Sequence, residues 1–170
     1  YGCTSLTDVT LPDGVTSLMG DMFSYCTSLT SITIPDSVTS IGTYEFSYCT
    51  NLASVTLSNN ITSIPDYSFM YCASLTSITI PDSVTRVGYV AFSHSGLTSV
   101  IIPDSVTNIG SGAFTGCENL ANAKISSGIT SIGHDTFKQC TSLASITIPS
   151  NVTSIGASAF LGCTSLENVE

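Results

Sequence analysis

The chain has 170 residues, of which 42% are hydrophobic and only 9% charged, and its 3 Lys and Arg stand against 12 Asp and Glu for a net charge of −9. Binding to nucleic acid or to an anionic membrane surface needs clustered Lys and Arg, so this balance excludes both classes of partner. No apolar run approaches the roughly 18 residues that a membrane-spanning helix requires, so no membrane insertion is expected.

Tyr1-Gly2-Cys3 already lies inside a repeating unit, so the chain reads as part of a longer protein. The absence of a signal peptide therefore carries no weight. A leading leucine recurs as Leu6, Leu29, Leu52, Leu75, Leu97, Leu120, Leu143 and, in a partial repeat, Leu166; the step is 23 residues, except 22 from Leu75 to Leu97. A fixed period of this length marks a solenoid, in which each unit buries its apolar side chains only by stacking on its neighbours. Residues 1–170 are expected to form one such domain.

The unit from Leu29 to Asn51 predicts the shape of one coil. Leu29, Ile32 and Ile34 alternate as an inward-facing strand, with Ser31 and Thr33 outward. Pro35 ends the strand, and Asp36-Ser37 suits a turn. Val38 and Ile41 form a second inward pair, Gly42 is expected to bend at positive φ, and Phe46 and Cys49 are spaced for one turn of a short or 3₁₀ helix. The phenylalanine column repeats as Phe23, Phe46, Phe69, Phe92, Phe114, Phe137 and Phe160. Eight first strands about 4.8 Å apart predict one parallel sheet roughly 34 Å across.

The recurring L-T-S-I-T-I-P-D-S-V-T-S-I-G-x-x-x-F-x-x-C resembles the BspA-like class of leucine-rich repeats over the whole chain. The resemblance implies an α/β repeat solenoid: a right-handed leucine-rich-repeat coil with a parallel β-sheet on one face, and short β-like segments plus short 3₁₀/α turns on the other. It also implies a non-catalytic adhesion module, extracellular or on the cell surface, whose partner is a protein or glycoprotein such as host matrix or another cell. The family's alanine before phenylalanine is kept in Ala91, Ala113 and Ala159 but replaced by Met22, Glu45, Ser68 and Thr136, and Pro65 replaces the usual glycine.

Seven cysteines occupy one repeat position: Cys3, Cys26, Cys49, Cys72, Cys117, Cys140 and Cys163, with Ser95 in the remaining coil. No C-x-x-C is present, so no zinc site is expected. Buried free thiols are one reading; pairing of Cys3 with Cys26, Cys49 with Cys72 and Cys117 with Cys140 is the other. His94 and His134 fall at different repeat positions, and nothing assembles a nucleophile, base and orienting group, so no catalytic residue, metal or cofactor is assigned. The column Asp13, Asp36, Asp82 and Asp104 reads as turn chemistry rather than calcium ligation. Asn60 and Asn151 open N-glycosylation sequons.

Two surfaces are candidates for binding. Tyr25, Tyr48 and Tyr71 share one repeat position, and Tyr44 and Tyr67 another, predicting two aromatic columns. Thr33, Thr56 and Thr79 belong to an outward Ser-Thr ladder, interrupted by Ile101, Lys124 and Glu170. That ladder opens a second class of function, ice or mineral recognition, and a passive spacer is a third. With no polar capping repeat in view, end-to-end self-association is also expected.

Overall fold

The computed structural model describes residues 1–169; Glu170 lies outside them. The chain winds into a parallel β-solenoid of about seven turns. Each coil runs from a first strand through a second, two-residue strand to a series of turns that returns to the next leucine. The inward columns form one continuous core. Phe46, Phe69, Phe92, Phe114 and Phe137 are completely buried, and successive rings stack 5.4–5.8 Å apart from Phe23 to Phe160. Val38, Ile61, Val84, Val106 and Ile129 are buried beside them. In the last coils the cover thins, and Ile155, Leu161 and Val169 are more than half exposed.

Three expectations require correction. The single eight-stranded sheet is broken. Ser31–Thr33 pairs with Ser54–Thr56, and Ser99–Ile101, Asn122–Lys124, Ser145–Thr147 and Asn168–Val169 form a separate ladder. Ser77–Thr79 joins neither, and the first coil contributes only a bridge from Thr10 to Thr33. The break falls in the repeat that is one residue short, whose return ends in Gly96. A Cβ at Gly96 would lie 2.1 Å from the Ala73 carbonyl, so the short return draws the backbones together there. The second strands bridge the same region, since Ser63–Ile64, Arg86–Val87 and Asn108–Ile109 are paired in one sheet.

The expected 3₁₀ or α turn around Phe46 and Cys49 is not formed, and the described residues contain no helix, so the coil is a β-and-turn unit rather than an α/β one. The reason lies in the amides. Tyr44, Phe46 and Tyr48 donate to Asp66, Ser68 and Met70 carbonyls of the next coil, at 3.2, 2.9 and 2.8 Å. Ser47, Cys49 and Thr50, between and after them, donate back to Tyr44, Phe46 and Tyr48 within the coil. A helix would need all of these donors for itself. The turns thus form a third inter-coil ladder.

Gly42 does not take positive φ. Its backbone passes so close to the coil before it that a Cβ would fall 2.2 Å from the Gly20 nitrogen, and Gly88, Gly110 and Gly156 sit in equivalent contacts at 2.5 Å. The left-handed positions belong instead to the turn ladder, at Tyr44 (φ 58°) and Tyr48 (φ 60°) and their equivalents.

Candidate functional site

The repeat-position cysteines are structural. Their sulfurs are free, and each of five donates to the carbonyl of a phenylalanine in the preceding coil: Cys49 to Phe23, Cys72 to Phe46, Cys117 to Phe92, Cys140 to Phe114 and Cys163 to Phe137, at 3.0–3.2 Å. Burial pushes the Cys49 thiol up to about 12 and the Cys117 thiol up to about 11, and raises those of Cys72 and Cys140 as well. A thiol held neutral keeps the proton that it donates. At pH 8 the native chain is therefore expected to react with a thiol reagent promptly at exposed Cys3, while the buried sulfurs stay silent until unfolding. Denaturation without reductant should then release close to all seven. A total near one would demonstrate the paired arrangement.

The aspartate column links turns. The Asp36 carboxylate accepts from the Asn59 amide at 2.8 Å, and that of Asp104 from the Ser127 amide and hydroxyl at 3.0 and 2.9 Å. Those Ser127 bonds hold the Asp104 carboxyl below its usual range. The sequon asparagines serve the same architecture: Asn60 Nδ2 donates to the Asp36 carbonyl, and Asn151 Nδ2 to the Ser127 and Ile129 carbonyls. His134 Nδ1 accepts from the Ala157 amide, and His94 stacks on Tyr71. Among the described residues, no cluster of three or more His, Cys, Asp or Glu could hold a metal ion.

The tyrosines assemble into two columns. In the first, Tyr25 stacks on Tyr48 at 4.5 Å, Tyr48 on Tyr71 at 4.7 Å and Tyr71 on His94 at 4.6 Å, with interplanar angles of 5–16°. Tyr1 tilts against Tyr25 at one end; at the other, the backbone of Gly116 lies so close to the His94 ring that a Cβ would clash with it. In the second column Tyr44 stacks on Tyr67 at 4.4 Å, and Tyr89 meets Tyr67 edge-on. Tyr25, Tyr44 and Tyr71 are each more than one-third exposed, while Tyr48 and Tyr67 are half-buried in mid-column. Burial there, reinforced by the flanking rings, raises the phenol pKa of both. Sequence periodicity identifies His94 as the fourth member of the first column, because it shares the repeat position. Tyr1 and Tyr89 escape that test because each sits one residue off register.

Between the columns runs an open groove of about 370 Å³, with Tyr25 and Tyr48 on one wall, Tyr44 on the other, and Ser24, Ser47 and Met70 along its floor. The Ser47 hydroxyl is buried without a hydrogen-bond partner. Two residues earlier in the chain, both carboxylate oxygens of Glu45 are also buried and unpartnered. Burial pushes this carboxyl up to about 7; the backbone amides of Gly20 and Met22 pull the other way without reaching hydrogen-bond geometry, and Asp21 adds to the rise.

On the strand face, Thr33, Thr56 and Thr79 are exposed, but Thr79 lies in the unpaired segment, so the hydroxyl ladder does not continue on a regular sheet. In the neighbouring threonine column four hydroxyls are spent internally: Thr39, Thr85, Thr107 and Thr153 donate to the Thr16, Thr62, Thr85 and Thr130 carbonyls.

A model of the BspA type leucine rich repeat region matches the chain in 6 copies over residues 1–96 and 62–170. The chain belongs to this family. A leucine-rich repeat protein from Bacteroides ovatus ATCC 8483 has the same fold, with a TM-score of 0.90 and 31% identity over 92% of this chain and 41% of its own. The chain thus spans about two-fifths of that protein's length. The T. pallidum leucine rich repeat protein TpLRR is 34% identical, with a TM-score of 0.86 over 90% of this chain and 72% of its own. The pneumococcal vaccine antigen PcpA shares the fold at 22% identity and a TM-score of 0.55. Among curated proteins no relative is found.

Proposed function

We propose that this BspA-type solenoid is a non-catalytic binding and adhesion module on a cell surface, and that the two tyrosine columns form its principal contact. The family supports the class of function. The stacking of the tyrosines in register supports this surface. Tyr25, Tyr44, Tyr48, Tyr67 and Tyr71 all hold φ near 60°, a left-handed conformation that costs a non-glycine residue about 1 kcal/mol or more. Gly112, Gly116 and Gly162 fill the same positions in later coils without that cost, whereas Asp21, Val90, His94, Asp135, Gln139 and Ser158 fill them in the same left-handed conformation. Five bulky rings kept against a backbone penalty, stacked in register and presenting their edges and hydroxyls to solvent, make a large amphipathic contact surface with little entropy left to lose. The Ser-Thr face is the second candidate surface. Ice or mineral recognition there is disfavoured by the internally bonded threonine hydroxyls and the broken strand ladder.

The test is adsorption of the chain to immobilised matrix protein. Tyr25→Ser, Tyr48→Ser and Tyr71→Ser together are expected to lower binding by at least about tenfold, the scale on which aromatic hot spots act, with the fold retained by circular dichroism. If that variant binds normally while Thr33→Ala, Thr56→Ala and Thr79→Ala together abolish binding, the strand face is the contact and the columns are only a seam between coils.

A further inference from the structure

The groove between the columns has a chemistry of its own. Its walls are ring edges, because stacking at 4.4–4.7 Å covers the faces of the inner rings. A sugar or a cation that needs an open aromatic face finds little there. What the walls offer is an apolar channel, a row of phenol hydroxyls and a fixed repeat along the solenoid axis. Two successive steps of the first column, 4.5 and 4.7 Å, place Tyr25 and Tyr71 together about one turn of a polyproline II helix apart, three residues at about 3.1 Å each. A peptide in that conformation has no internal backbone hydrogen bonds, so its carbonyls remain free acceptors. The Ser47 hydroxyl, buried beside the groove without a partner, is a donor in need of one. Asp21 lies on the groove, in a chain with a net charge of −9.

We propose that the groove between the tyrosine columns binds a single-chain, proline-rich peptide segment in the polyproline II conformation, flanked by a basic residue that pairs with Asp21. Aromatic-lined grooves suit such segments because the peptide is already ordered before it binds. Tyr25 and Tyr48 supply one wall and Tyr44 the other, and the match between two coils and one peptide turn lets residues three apart in the peptide meet Tyr25 and, just past the groove, Tyr71 in the same way. This rests on the reading of the columns as the contact surface and names the chemistry of the partner.

The experiment titrates the chain with an Arg-decaproline peptide and with an Arg-(Gly-Ser) peptide of equal length and charge. The proline peptide is expected to bind at least about tenfold more tightly. Tyr25→Ser with Tyr48→Ser should remove that preference, and Asp21→Asn should weaken binding and flatten its salt dependence. Ser47→Ala should weaken binding several-fold while leaving the fold at least as stable, which separates loss of a contact from loss of structure. Gln139→Ala, in a coil beyond the groove, should change nothing. Equal affinity for the two peptides overturns the proposal. So does adhesion to matrix protein that is lost in the tyrosine variant but not competed by the proline peptide, or competed only by an oligosaccharide; in that case the columns remain the contact and the peptide chemistry is wrong. Adhesion indifferent to the tyrosines, with no peptide binding, overturns both readings.

Discussion

Replacing Phe69 by alanine is expected to lower the stability of the stack by about 3–5 kcal/mol, the range for truncating a fully buried aromatic side chain. Phe69 is completely buried and stacked at 5.4 Å on both Phe46 and Phe92, so its removal opens a void against two neighbours at once. A solenoid has no other core into which the surrounding side chains can collapse, because each coil contacts only the coils beside it. The loss should therefore sit near the upper end of the range, and it should divide the stack. Urea unfolding followed by near-ultraviolet and far-ultraviolet circular dichroism is expected to change from one transition to two. The equivalent change at Phe160, only partly buried in the last complete coil, should cost much less. A loss at Phe69 below about 1 kcal/mol would mean that the aromatic column is a passenger and that the inter-coil hydrogen bonds hold the stack.

The second large effect is electrostatic. The Glu45 carboxyl is raised in the folded chain to about 7 from an ordinary value of 4.5, mainly because it is buried. The folded state thus holds the proton more tightly than the unfolded state does. Below pH 4.5 both states are protonated and the group costs nothing beyond its unpartnered oxygens. Between pH 4.5 and 7 the unfolded chain ionises first and stability falls. Above pH 7 the full loss is in place, about 3 kcal/mol, since a tenfold difference in proton affinity corresponds to about 1.36 kcal/mol. Wild type is expected to be less stable at pH 8 than at pH 4.5 by this amount, and Glu45→Gln should flatten the profile and be the more stable protein at pH 8. The depressed Asp104 carboxyl acts with the opposite sign, but only as pH falls through the acid range, outside this window. Denaturant titrations at both pH values measure the difference. A wild-type profile already flat across the window would show that Glu45 reaches water or a partner in solution.

Glu45 also shows how a repeat tolerates a poor residue. Ala91, Ala113 and Ala159 fill the equivalent position with a methyl group, and Ser68 and Thr136 return their hydroxyls to carbonyls three residues earlier. Glutamate is too long for that local bond and remains without one. The coil survives because its neighbours stabilise it, which is the cooperative property of a stacked array.

Much of this protein is determined by its sequence alone. A period of 23 residues with Leu, Ile, Val, Phe and Cys in fixed places dictates coils, inward columns and stacking, because no single unit can shield its own apolar side chains. The same periodicity places Tyr25, Tyr48 and Tyr71 in one column, and Tyr44 and Tyr67 in another. Tertiary structure decided what the repeat pattern is blind to, namely where each backbone donor goes. Phe46 and Cys49 have helical spacing, yet the amides of Tyr44, Phe46 and Tyr48 are taken by the next coil, so the segment becomes a ladder of turns and the left-handed positions fall on tyrosines rather than on Gly42. The missing residue between Leu75 and Leu97 is visible in the sequence, but its consequence, a strand ladder broken at Ser77–Thr79, depends on how two neighbouring coils share the shortfall. The groove and its unpartnered Ser47 likewise exist only once adjacent coils are stacked, because their walls and floor come from different repeats.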